Sequence, residues 1–74
     1  MNLEKFEREI LIEAMAVKVR DEARRAVTNY NYDLLKNSCD RLTAREEQEV
    51  GGIVQRCNKL RRSFEVYVRL KNER

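Results

Sequence analysis

Residues 10–19 read ILIEAMAVKV, eight apolar side chains in ten positions, broken only by Glu13 and Lys18. Wound into a helix, this stretch is apolar almost all the way round, and a helix greasy on more than one side needs more than one neighbour. The surrounding segment, residues 3–29, contains no glycine or proline. Leu3, Phe6, Ile10, Ala14 and Val17 step by three and four residues along one face, while Ile12, Met15, Val19, Ala23, Ala26 and Tyr30 do so along a rotated one. That periodicity predicts a first helix over about 3–29.

Composition favours helix throughout. The chain has two Gly, no Pro, no Trp and no His in 74 residues, so the punctuation that turn-rich β architectures need is nearly missing. Its periodic Ile, Leu, Val and Ala also set it apart from the usual disordered chain. The length suits a single small helical domain, residues 1–74, and a domain of this size hides only about 60% of its unfolded surface. A stable fold must therefore pack well or borrow a partner.

Thr28, Asn29, Tyr30, Asn31, Tyr32 and Asp33 are poor helix formers, and their Asn and Asp side chains compete for backbone groups, which predicts a corner. Asn31 or Asp33 then caps a short helix through about residue 40, with Leu35, Cys39 and Leu42 on one face. Thr43 to Glu46 has the capping-box pattern, and Glu46, Glu47 and Glu49 place negative charge in the first turn, as the helix dipole favours. From there Val50, Ile53, Cys57, Leu60, Phe64 and Tyr67 continue at helical spacing, predicting one long helix to about Lys71. Gly51 and Gly52 are assigned to a kink or a close helix crossing. Residues 64–71 alternate like a strand, but the chain offers no second strand to pair with.

The expected fold is all-α: two long helices joined by a short helix, a helical hairpin dimerising into a four-helix-like bundle. The homodimer is expected because the girdle at residues 10–19 stays partly wet in a two-helix hairpin. The alternative is a compact monomer in which Gly51 and Gly52 break the last helix and fold it back.

Charge is spread unevenly. Residues 53–74 carry seven basic side chains against Glu65 and Glu73, while the whole chain, with 16 Lys+Arg and 13 Asp+Glu, is only +3. Arg56, Lys59 and Arg62, spaced by three, form a candidate phosphate-facing surface, with Tyr67 or a loop tyrosine to stack on bases. The plainer reading is a solvated face whose cations suit a helix C-terminus. Leu42 to Val50 resembles the Leu-Thr-x-Arg-Glu opening of the first helix in LuxR-type helix-turn-helix domains, over nine residues of the chain, which implies DNA binding. That family's later turn and recognition helix find no match in residues 51–62, a capping box explains the likeness equally well, and no residue role is carried over.

Catalytic equipment is sparse. The commonest general base is missing, Ser38 and Ser63 sit in no nucleophile-elbow context, and Gly51-Gly52 lacks the Lys-Ser/Thr of a phosphate loop. Glu46 with Glu49 and Glu9 with Glu13 share helix faces, the arrangement of ordinary ion-paired surface carboxylates. We expect no enzyme, no cofactor and no metal site. Cys39 and Cys57, with no partner His or Cys-x-x-Cys pair, are expected to be reduced, buried, structural thiols, the alternative being a disulfide or redox switch. No export signal or membrane span is apparent, so the expected setting is cytoplasmic.

By elimination, the expectation is a helical interaction protein that self-associates through Ile10, Leu11, Ile12, Met15 and Val19. It would bind or modulate a larger protein as an adaptor, inhibitor or regulatory subunit, with Tyr30 and Tyr32 as partner contacts. The alternative is an accessory nucleic-acid binder using Arg56, Lys59 and Arg62.

Overall fold

A computed structural model describes residues 2–26 and 39–73, with side chains from residue 4 onward. The described chain is helical, with no strand among these residues. Helix α1 spans Asn2–Ala26, α2 spans Ala44–Ile53, a 3-10 turn covers Val54–Arg56, and α3 spans Asn58–Asn72. The proposed corner at 28–33 and most of the proposed short helix lie outside the described residues. Where that helix was expected to end, Cys39 and Asp40 form a bend.

Of the two apolar faces of α1, the rotated one turns inward. Ile12, Ala16, Val19 and Ala23, at steps of four, three and four, are buried with Leu42, Val50 of α2, and Leu60 and Tyr67 of α3. Met15, Ala26, Ile53, Val54, Cys57, Phe64, Val68 and Leu70 pack around this core. Fully burying a side chain such as Ile12 or Leu60 contributes about 1.5–3 kcal/mol. Alanine at two of the four inward positions of α1 lets α3 come close, since the distance between helix axes is set by the side chains at the contact. The helices α1 and α3 run antiparallel: near the start of α1, Arg8 Nη1 donates to the carbonyl of Glu73, just past the end of α3, at 2.8 Å.

The start of α2 follows its sequence. Glu46 N–H donates to Thr43 Oγ1 at 3.1 Å, and Thr43 N–H donates to Glu46 Oε1 at 3.0 Å, completing the capping box. The single long helix from 43 to 71 does not form. After Ile53 the chain tightens into the 3-10 turn, Cys57 is extended (φ −147°, ψ 121°), and α3 begins afresh. Gly51 and Gly52 lie inside α2, ahead of that break. A Cβ on either would meet nothing within 4 Å, so neither serves a close crossing. The break lets α3 fold back along α1, as the alternative architecture requires, but it begins at Val54, two residues past the pair expected to cause it.

The strand-like alternation at 64–71 is absorbed into α3, where Tyr67 faces the core and Val66 faces out. Cys39 is exposed and Cys57 partly buried, and both are free thiols, so the expectation of two buried structural cysteines fails at Cys39. It sits in a bend and shares no helix face with Leu42.

Candidate interaction surface

The elements around Arg20 fix how α1 is presented. Arg20 lies on the inward side of α1, between Ala16 and Ala23. Its Nε donates to Glu46 Oε2 at 2.8 Å and its Nη2 to Glu46 Oε1 at 2.9 Å, and both side chains are almost fully buried. The same guanidinium donates to the carbonyls of Asp40 at 2.8 Å and Arg41 at 3.1 Å. One buried cation thus ties α1 to the incoming segment and to the cap of α2. Hydrogen bonding from Arg20 holds the Glu46 carboxyl below its ordinary value against the opposing effect of burial, and the bond with Glu46 raises Arg20 in turn. Charge-assisted, two-pronged bonds of this kind are the strong ones.

Tyr67 closes the opposite side. Its hydroxyl oxygen accepts from the Leu42 N–H at 3.0 Å, its ring stacks with Phe64 at 6.4 Å between centroids, and the Lys71 ammonium lies 5.9 Å from the ring centre. Burial pushes its phenol pKa up. Tyr67 is therefore a core residue and offers no ring for bases to stack on.

Beside this closure, Lys5, Arg8, Glu9, Ile12, Arg41, Lys71 and Glu73 line a groove of about 230 Å³. Several of its charges have partners within the chain. Arg41 donates to both oxygens of Glu9 at 2.7 Å, holding that carboxyl below its usual range, and Lys71 pairs with Glu47. Among the described residues no group of three acidic or Cys side chains is placed to hold a metal ion, and no helix is long and apolar enough to cross a membrane.

With its inner side so held, α1 turns its other apolar face to solvent. Phe6, Ile10 and Val17 are 57%, 52% and 43% exposed, Ala14 lies exposed among them, and Leu11 beside them is 53% exposed. Of the five residues expected to drive self-association, Ile10 and Leu11 are on this surface, Met15 is half-buried at the core margin, and Ile12 and Val19 belong to the chain's own core. Sequence reasoning placed Phe6 and Val17 on one face with Ile10 without singling them out as contacts. Tyr30 and Tyr32 lie outside the described residues. Arg56 in the 3-10 turn and Lys59 and Arg62 on α3 are all exposed, with Arg61 and Arg69 nearby in the sequence and also exposed.

No known protein family matches this sequence, and neither the comparison with characterised proteins nor that with solved structures gives a match.

Proposed function

We propose that this chain is a small helical interaction module that associates with another protein through the outer face of α1, as an adaptor, inhibitor or regulatory subunit does. The observation that carries the reading is the apolar stripe Phe6, Ile10, Ala14 and Val17, which faces solvent on a helix whose opposite side already fills the core. Contiguous exposed apolar surface on a small domain marks an interaction site more often than scattered single residues do. In the neighbouring groove Arg41 is paired with Glu9 and Lys71 with Glu47, which directs attention away from it. The test compares the wild-type protein with Phe6→Glu/Ile10→Glu as baits in extract from the native host. A partner retained by the first and lost by the second, with both baits equally helical by circular dichroism, supports the reading. Identical captured sets overturn it.

A second reading, an accessory nucleic-acid binder, draws on the exposure of Arg56, Lys59 and Arg62. Titrating a labelled duplex and a single strand at two salt concentrations tests it. Binding that weakens steeply with salt and disappears in Arg56→Ala/Lys59→Ala/Arg62→Ala supports this reading, and flat titrations at low salt remove it.

A further inference from the structure

Resting on the nucleic-acid reading, we infer that the outward side of α3 binds double-stranded DNA by spanning the major groove, with Arg62 and Arg69 on the two phosphate rows that border it. Leu60, Ser63 and Tyr67 turn one side of α3 into the core. On the opposite side Asn58, Arg62, Glu65, Arg69 and Asn72, at helical steps of four, three, four and three, are all exposed. Lys59 and Arg61 are exposed beside the first turn, and Arg56 just precedes it.

These cations are unengaged. Among the described residues none of Arg56, Lys59, Arg61, Arg62 and Arg69 has an ion-pair partner, whereas Lys18, Arg25, Arg41 and Lys71 each have one. Glu65, one turn from both Arg61 and Arg69, pairs with neither. Five free basic groups against one acid on one side of a helix form the electrostatic footprint of a polyanion site. Four of the five are arginine, whose planar fork matches phosphate.

Spacing selects the polyanion. Arg62 and Arg69 stand seven residues apart, about 11 Å along the axis at 1.5 Å per residue, close to the major-groove width of about 12 Å in B-form DNA. Glu65 then lies midway, over the groove and away from both phosphate rows. A single strand offers one row and is usually gripped with stacked rings, but the rings of α3, Phe64 and Tyr67, pack at the core. The major groove of double-stranded RNA is deep and narrow, so the two rows are not presented at this separation. A bilayer surface would face Glu65 as squarely as the arginines, and with the apolar side of α3 in the core only Val66 is left to insert.

Fluorescence anisotropy of the whole chain tests this with a mixed-sequence DNA duplex, the matching RNA duplex and a DNA single strand, alongside sedimentation with phosphatidylserine-containing vesicles. The DNA duplex is expected to bind with a dissociation constant on the order of tens of micromolar at about 50 mM salt, and about tenfold more tightly than the other three. With about four phosphates engaged, affinity falls roughly a hundredfold between about 50 and 200 mM salt. Arg62→Ala/Arg69→Ala is expected to lower the salt slope by about two and to weaken duplex binding about tenfold. Lys18→Ala/Arg25→Ala removes the same charge from the outer side of α1 and is expected to leave duplex binding within about twofold of wild type. Circular dichroism verifies that both variants keep their helices. Single strand or RNA duplex binding as tightly as the DNA duplex overturns the inference while the nucleic-acid reading stands. Equal losses in the two variants, or vesicles bound as tightly as the DNA duplex, overturn it as well. Flat titrations with every nucleic acid remove the inference and that reading together.

Discussion

Arg20 and Glu46, twenty-six residues apart in sequence, meet inside the protein through two parallel hydrogen bonds, and Glu46 also closes the α2 cap on the Thr43 N–H. A buried ion pair of this kind is weak evidence for stability in itself, because desolvation offsets much of the attraction. Removing one partner is a different matter, since the other remains charged in a dry site.

Glu46→Gln is accordingly expected to cost about 3 kcal/mol or more, whereas Arg20→Met/Glu46→Leu together are expected to recover much of that loss. Denaturant unfolding followed by circular dichroism checks both variants. Equal losses in the single and double variants would show that the charges, once desolvated, were not the issue.

The same pair sets an acid limit. Because the Glu46 carboxyl titrates below its ordinary value of 4.5 when folded, the folded state binds its proton less readily than the unfolded chain does. Its contribution is complete above that ordinary value and is lost as pH falls through the lower, folded one. The thermal midpoint is expected to drop more steeply below about pH 4.5 in the wild type than in Arg20→Met/Glu46→Leu. Parallel curves would contradict this.

At the alkaline end Tyr67 acts in the opposite sense. Its pKa is raised by burial from 10.0, so its contribution is present below that value and is lost as pH rises toward the folded one. Absorbance titration should show one of the three tyrosines ionising late, together with unfolding. Tyr67→Phe removes that phase and leaves the Leu42 N–H without its acceptor, at a cost of about 1–3 kcal/mol.

Gly51 and Gly52 have no left-handed backbone and no neighbour that a methyl group would strike. Each sits in α2, where glycine is about 1 kcal/mol worse than alanine. Gly51→Ala and Gly52→Ala should each raise the unfolding midpoint without altering the fold, and a loss of stability in either would point to a role these surroundings do not explain.

Local signals were the legible ones. The capping box at Thr43 and Glu46 uses residues three apart and needs nothing from the rest of the chain, and the periodicity of Ile12, Val19 and Ala23 marked a genuine core face. The choice between the two faces of α1 was not legible, because it is made by α3, whose Leu60 and Tyr67 lie dozens of residues away. Arg20 was hidden for a related reason. A charged residue reads as solvent-facing unless its partner is known, and only the small side chains at Ala16 and Ala23 hint at the room beside it. The break at residues 54–57 carries no glycine or proline, and the pair that looked like a breaker is helical.

The two sides of α1 answer to different constraints as the sequence drifts. Positions 20 and 46 can change only in concert, since either substitution alone strands a charge in the interior, so close homologues should keep both or exchange both. Positions 6, 10, 14 and 17 are under no such obligation from their own monomer. If their greasiness persists across divergent descendants, selection is acting on something outside the single chain.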